Sequence, residues 1–153
     1  MSKFAQATTV SSDKSRAEIE ATLRRYGATS FMYGSAPERA VIAFEAFDRR
    51  VKFELPMPDP KAKEFIRTPG RGSLRSPAEA TKAYEQAVRQ KWRALALCVK
   101  AKLEAVEAGI TTFEAEFLAH IVLPNGSTVH GEIAASVANA YTSGKVTPLL
   151  GKF

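Results

Sequence analysis

The sequence is poor in the residue types that build disulfides, metal cages and membrane spans. Cys98 is the single cysteine in 153 residues, which excludes an intramolecular disulfide and a zinc site made of several cysteines. No stretch holds eighteen consecutive apolar residues, and residues 1–12 lack the apolar centre of a secretory signal. From these absences we expect a cytoplasmic protein without a membrane-spanning segment.

Motifs that carry chemistry are also scarce. The two histidines, His120 and His130, flank an Asn-Gly turn, and without a carboxylate at a fixed spacing they indicate structural or surface roles more than a metal site. Cys98 lies in an apolar helical stretch, where a thiol is typically an inert small hydrophobe. Residues 70–73 are glycine-rich but lack the lysine of a phosphate-binding P-loop. We therefore expect no catalytic residue, no metal and no cofactor, and an enzyme is the least supported class of function.

What the sequence does contain is typical of one folded domain. Hydrophobic residues make up 45% of the chain and charged residues 25%, which is ordinary globular composition and predicts a real core. The length suits a single domain. We expect a flexible segment over residues 1–14, one domain over residues 15–144 and a tail over residues 145–153.

Three capping boxes predict where helices begin. In each box a serine or threonine is followed three positions later by a glutamate, and each side chain accepts from the other residue's backbone N–H group. The boxes begin at Ser15, Ser76 and Thr111, and the first two predict helices over residues 16–26 and 77–108. A short helix is expected after the third. The long helix carries an apolar stripe at helical spacing, which comprises Tyr84, Val88, Trp92, Leu95, Val99, Leu103 and Val106.

Runs of aromatic and β-branched residues predict three strands that follow one another as a meander. The runs cover residues 30–34, 39–47 and 50–57. Asp48-Arg49 is the expected turn between the second and third strands. In the third run, apolar and charged residues alternate, so one face of the sheet should be buried and the other exposed to water.

A second strand pattern lies near the C-terminus. Residues 121–123 and 128–129 flank Asn125-Gly126, and an Asn-Gly pair readily takes the positive φ angles of a type I′ turn. This pattern predicts a C-terminal β-hairpin, followed by a short helix over residues 134–141.

These elements predict an α+β fold: an N-terminal helix, a three-stranded antiparallel meander, a long central helix, a short helix and a C-terminal β-hairpin. Three arrangements of the long helix stay open. It packs whole on the sheet, it breaks near residues 94–96 so that its halves fold over the sheet, or it projects and pairs with a second copy in a homo-oligomer.

The net charge of +6 is concentrated in the middle of the chain. Residues 49–102 hold 14 Lys and Arg against 5 Asp and Glu. Such clusters are rewarded by phosphate backbones, because each neutralised phosphate releases condensed counterions. The predicted nucleic-acid-binding residues are Arg49, Arg50, Lys52, Lys61, Lys63, Arg67, Arg71, Arg75, Arg89, Arg93 and Lys100.

Residues 59–76 are the most basic part of this region and predict a long loop that orders on binding. Its cations are expected to contact phosphate and to contribute little to stability. Aromatic residues can add platforms on which bases stack if they face outward, or they can belong to the core. Those considered are Phe31, Tyr33, Phe44, Phe47 and Phe65.

Four stretches carry a resemblance to a known family. They are residues 24–28 (RRYGA), 53–58 (FELPMP), 92–95 (WRAL) and 104–110 (EAVEAGI). The sequence resembles an uncharacterised family encoded by bacteriophages and prophages, which implies a bacterial host cell and assigns no catalytic residue. A meander followed by a long helix is also similar in architecture to single-strand annealing proteins of the Rad52 type, although architecture alone does not assign function.

Two classes of function fit these observations. The first is a phage-type accessory protein of DNA metabolism that binds single-stranded nucleic acid through a basic surface without catalysis. The alternative is a non-enzymatic interaction or assembly protein whose basic surface binds an acidic host or virion protein. No membrane partner is expected in either case.

Overall fold

The structure is a computed structural model and describes residues 5–150. It confirms the α+β class, with an N-terminal helix, a three-stranded antiparallel sheet and a long central helix. The helices are α1 Ser12–Arg25, α2 Lys63–Ile66, α3 Pro77–Glu107, α4 Phe113–Phe117 and α5 Val129–Ser143, and a 3₁₀ turn, Leu118–His120, follows α4. The strands are β1 Ser30–Ala36, β2 Arg39–Ala46 and β3 Arg49–Pro56. None of the helices in this range has the length and apolar composition to cross a membrane.

The sheet has the order β1-β2-β3 and buries one face. Ile42 and Phe44 of β2 lie opposite Phe53 and Val51 of β3, and all four are buried, as the alternation of the strands requires. The β2–β3 turn is formed by Phe47 and Asp48, whose φ angles are 50° and 59°. The predicted turn is therefore one residue too late, because both central positions of a type I′ turn need positive φ.

The long helix α3 is continuous over 31 residues. The predicted capping box is present: Ser76 accepts from the Glu79 N–H group, and Glu79 accepts from the Ser76 N–H group. Trp92, Val99 and Leu103 are buried in the core shared with α1 and the sheet. The helix does not break near residues 94–96, and its apolar face is covered within the chain.

The first helix begins at Ser12, earlier than the capping box at Ser15 predicts. Ser11 is the N-cap, and its side chain accepts from the Lys14 N–H group at 3.1 Å. Ser15 instead lies inside the helix, fully buried, and its hydroxyl has no hydrogen-bond partner within residues 5–150. The helix ends as expected, with Gly27 at a φ of 102° after the C-cap.

The predicted C-terminal β-hairpin is wrong. The chain does reverse here, but not through the expected type I′ turn. The Gly126 N–H group donates to the Leu123 carbonyl at 2.8 Å, so Pro124 and Asn125 are the central residues, and of the Asn-Gly pair Gly126 alone has a positive φ. Strand pairing after the turn is limited to one bridge, Val122 with Thr128, because Thr128 is also the N-cap of α5 and accepts from the Gly131 N–H group at 3.1 Å. The helix predicted over residues 134–141 is the middle of α5.

The two chain ends differ in how they meet the core. Ala5 is buried, and the carbonyl of Thr8 accepts from the Gln86 side chain of α3 at 2.9 Å. No residue of α5 is buried. The predictions for residues 1–4 and 151–153, which belong to the flexible segment and the tail, lie outside the described residues.

Candidate nucleic-acid interface

Residues 59–76, called the basic segment from here on, form an ordered element instead of a structureless loop. The helix α2 buries Phe65, which is 4% exposed, with its ring edge-on to Tyr84 of α3 at 5.7 Å between centroids. The backbone then turns back, and Arg67 pairs with Leu74 in an antiparallel bridge. The buried Phe65 ring therefore holds the segment on α3, and the bridge closes the segment on itself.

Two arginines of the basic segment hold its backbone in place. Arg67 donates from Nη1 to the Gly72 carbonyl at 2.8 Å. Arg75 donates from Nη1 to the carbonyls of Glu64 and Phe65 at 3.1 and 3.3 Å. Since charged donors make the stronger hydrogen bonds, the geometry assigns Arg67 and Arg75 a structural contribution in addition to their charge, which the sequence did not predict.

The other three cations of the segment differ, because their side chains have no partner among residues 5–150. Lys61, Lys63 and Arg71 are exposed, and within residues 5–150 their side chains form neither an ion pair nor a hydrogen bond. We call them the free cations. The two carboxylates of the segment, Asp59 and Glu64, form no ion pair in the described part of the chain either, so the positive charge of the segment is not neutralised locally.

The cations at the β2–β3 hairpin are placed differently. Arg49 pairs with Glu114 of α4 at 2.9 Å, and Arg50 pairs with Glu45 of β2 at 3.0 Å. Lys52 pairs with Glu54, two positions along β3, at 3.1 Å. These three, called the hairpin cations, are each matched by a carboxylate.

The cations of α3 divide between its faces. Arg93 pairs with Glu18 of α1 at 2.5 Å, and Arg89 donates to the side-chain oxygen of Gln86. Lys100 is exposed. The predicted interface residues therefore differ in pairing, and among them the basic segment holds the largest group of exposed cations that form no ion pair within residues 5–150, with Lys100 as a further one on α3.

Most of the aromatic residues considered as stacking platforms belong to the core. Phe44 and Phe65 are buried, and Phe31 is half-buried against the core. Phe47 is 61% exposed at the hairpin turn, where it contacts Phe113 at 4.9 Å between ring centroids. Tyr33 is 40% exposed and lies on a different surface.

Tyr33 belongs to a groove that the sequence did not predict. Its walls are α1, β1 and α3, its volume is about 570 Å³, and Arg16, Tyr84, Arg89 and Trp92 also line it. The Arg16 guanidinium lies 4.8 Å from the Tyr33 ring centroid and 5.2 Å from that of Trp92. These residues come from distant parts of the chain, and no sequence motif links them.

The histidines line one hollow together with Glu54, and Cys98 lies elsewhere, on α3. His120 stacks on Phe53 with 4.1 Å between ring centroids, and burial is the largest cause that lowers its pKa. Residues 5–150 contain no group of three His, Cys, Asp or Glu side chains that could hold a metal ion. Cys98 is exposed on α3, and the expectation that its thiol is inert stays a prediction.

Comparisons with known proteins do not identify a function for the candidate interface. No family model, no curated protein and no solved structure matches the chain. The phage setting and the likeness to single-strand annealing proteins stay predictions from the sequence.

Proposed function

We propose that the protein binds single-stranded nucleic acid through the basic segment, as a non-catalytic accessory protein of phage DNA metabolism. The observation that carries the proposal is the contrast in neutralisation. The free cations, Lys61, Lys63 and Arg71, have no carboxylate within the described residues, whereas the hairpin cations are all paired. Phosphates can meet the basic segment without first breaking an ion pair.

A nucleic acid suits the basic segment because contacts between cations and phosphates release condensed counterions, whatever the base sequence. A single strand suits the segment better than a duplex does, because its flexible backbone can bring successive phosphates to cations that do not follow a helical groove. Arg67 and Arg75 add two positive charges whose positions are fixed by backbone carbonyls. The segment thus presents a fixed cationic surface.

The test is a fluorescence anisotropy titration with a labelled single-stranded oligonucleotide, starting at about 50 mM salt, where counterion release favours binding most. The segment variant carries Lys61→Gln, Lys63→Gln and Arg71→Gln. We expect it to bind about tenfold more weakly or worse, and the slope of log affinity against log salt to flatten by about 0.7 for each phosphate that the variant no longer neutralises.

The matched control is a hairpin variant with Arg49→Gln, Arg50→Gln and Lys52→Gln, which removes the same formal charge. Because these side chains already face carboxylates, its salt slope should stay that of the wild type. Equal slopes for the segment variant and the wild type would remove the segment from the interface. Absence of oligonucleotide binding by the wild type, with retention of an acidic protein on an affinity column, would favour the interaction-protein alternative.

A further inference from the structure

The groove between α1, β1 and α3 has features that the core does not need. It is open to solvent along β1, an edge strand with no buried residue, and it has a volume of about 570 Å³. Trp92 closes its floor and is only 2% exposed, whereas Tyr33 is 40% exposed in its wall. An aromatic ring of this kind is a surface on which a flat ligand can stack.

The groove also offers hydrogen-bond donors of positive charge. Arg89 lines it, and within residues 5–150 its guanidinium is bonded only to the neutral side chain of Gln86, at 2.6 and 3.0 Å. Arg16 lies over the Tyr33 ring and pairs with Asp13 at the surface. Glu85 is the one carboxylate in the described lining. Because Arg16 is already paired with Asp13, Arg89 is the guanidinium of the groove that is left for an anion.

The groove begins where the basic segment ends. Tyr84 lines the groove, and its ring is the one that packs against Phe65 of the segment at 5.7 Å. Met57 lines both this groove and a neighbouring hollow that Phe65 and Lys91 share. The basic segment and the groove are therefore neighbours that meet at the contact between Phe65 and Tyr84.

We propose that the groove receives one unpaired base of the bound strand. The base stacks on the part of the Tyr33 ring that the Arg16 guanidinium leaves exposed, and the guanidinium of Arg89 binds the adjoining phosphate. The hydroxyls of Ser12 and Ser35, which also line the groove, suit the polar edge of a base. This inference rests on the proposed function and adds base contact to it, since duplex bases are stacked and paired and only an unpaired base can be splayed out onto an aromatic side chain.

Trp92 makes the proposal directly testable, because it is the only tryptophan in the chain and lies 5.6 Å from Tyr33 between ring centroids. A thymidine oligonucleotide and an abasic oligonucleotide of the same length carry the same phosphates. We expect the first to change Trp92 fluorescence and the second to leave it unchanged, while anisotropy reports the binding of both.

Variants of the ring sharpen the test. Tyr33→Ala should remove the fluorescence change and weaken binding of the thymidine strand about 5- to 150-fold, the range for removal of one stacked base. It should leave the affinity for the abasic strand unaltered. Tyr33→Phe keeps the ring and should behave as the wild type. Tyr141→Ala removes a tyrosine that is 89% exposed on α5, far along the chain from the groove, and serves as the matched control.

The outcomes separate the groove from the segment. Binding of both strands with identical Trp92 fluorescence would overturn the base site and leave the basic segment as the interface. No binding of either strand would overturn both proposals. A base-dependent change of Trp92 fluorescence that persists in the segment variant at higher protein concentration would support the groove. If Tyr33→Ala fails to fold, the comparison of the thymidine and abasic strands on the wild type still tests the base site.

Discussion

The basic segment and the β2–β3 hairpin both carry clustered cations, and they differ in whether carboxylates pair with those cations. In the hairpin, antiparallel register places Glu45 directly opposite Arg50, and residues two apart on β3 share a face, so Lys52 meets Glu54. In the basic segment, pairing is limited to the bridge between Arg67 and Leu74 around a proline and glycine turn, and it places no carboxylate opposite a cation. The comparison shows that a charge count along the sequence does not reveal which cations remain available, because pairing is decided by backbone geometry.

The two regions also differ in how they are held. The hairpin shares a ladder of eight residue pairs between β2 and β3 and buries side chains from both strands. The basic segment has one buried anchor, Phe65, and one isolated bridge between Arg67 and Leu74. Its position on α3 should therefore depend on few interactions, and removing any of them should have a clear effect.

The largest effect is expected for Phe65→Ala, which removes the buried ring of the basic segment. Truncation of a buried phenylalanine typically costs about 3 kcal/mol of unfolding free energy, and chemical denaturation measures it. The salt slope of oligonucleotide binding should persist, because the cations are still present and counterion release depends on their number.

Phe65→Leu is the control, since it keeps an apolar side chain against Tyr84 and should restore most of the stability that Phe65→Ala removes. A Phe65→Ala protein as stable as the wild type would show that the ring does not anchor the segment. A flattened salt slope would show instead that binding needs the folded arrangement of the cations.

A smaller effect should separate two arginines of the same segment. Arg75→Ala removes donors to the carbonyls of Glu64 and Phe65 and should lower the unfolding free energy by about 1.5 kcal/mol, as expected for bonds from a charged donor. Arg71→Ala removes a free cation and should change it by no more than about 0.5 kcal/mol. Thermal denaturation of the two single variants, side by side, measures the difference, and equal melting temperatures would contradict the structural role of Arg75.

The strands and the long helix could be predicted from sequence because their signals are local and agree with one another. The alternating apolar residues of β3 specify the two-residue period of a strand with one buried face. The capping box at Ser76 specifies the first residue of the long helix. The first helix shows the limit of such signals. Ser11 and Ser15 could each act as an N-cap, and tertiary packing decides between them: Ser15 is buried inside the helix, and Ser11 is the N-cap.

The C-terminal region shows a stronger limit. The chain reverses at Pro124 and Asn125 instead of through the expected type I′ turn. The pairing stops after the bridge between Val122 and Thr128, because Thr128 caps α5 at the position where a hairpin would continue. Ile121 pairs with Val51 at the edge of β3 instead. Turn chemistry therefore predicted the reversal of the chain and could not predict which secondary structure follows it.

The candidate site was only partly accessible to sequence reasoning. The density of cations in residues 59–76 is a local property and was visible, whereas the pairing of Arg49 with Glu114 and of Arg93 with Glu18 joins residues far apart in the chain. The groove around Tyr33 exists only once α1, β1 and α3 are packed together. Sites assembled by such long-range contacts leave no local pattern.

The last and smallest expected effect distinguishes the two regions by pH. His120 stacks on Phe53 of β3. Burial is the largest cause that lowers the pKa of His120 from its ordinary value of 6.5, and the positive charge of Lys102 lowers this pKa further. His130 makes a smaller contribution in the same direction, whereas a backbone hydrogen bond with Lys52 raises the pKa. The basic segment contains no histidine. Stability should therefore respond to mild acid through the edge of the sheet, whereas the charge of the segment should not.

The sign follows from proton linkage: the folded state binds fewer protons at His120 than the unfolded state does, so the unfolding free energy falls as the pH drops below about 6.5. The depressed pKa of Glu79, which hydrogen bonds to Ser76 and lies below its ordinary 4.5, acts only in stronger acid. Denaturant titrations between about pH 7 and pH 5 should show the decrease in the wild type. His120→Gln should flatten it, and His130→Gln, which removes the exposed histidine, should keep most of it. If the stability of the wild type is constant over this range, His120 is not desolvated by its contact with the sheet. If the salt slope of oligonucleotide binding changes over the same range, the interface extends beyond the basic segment to a group that titrates there.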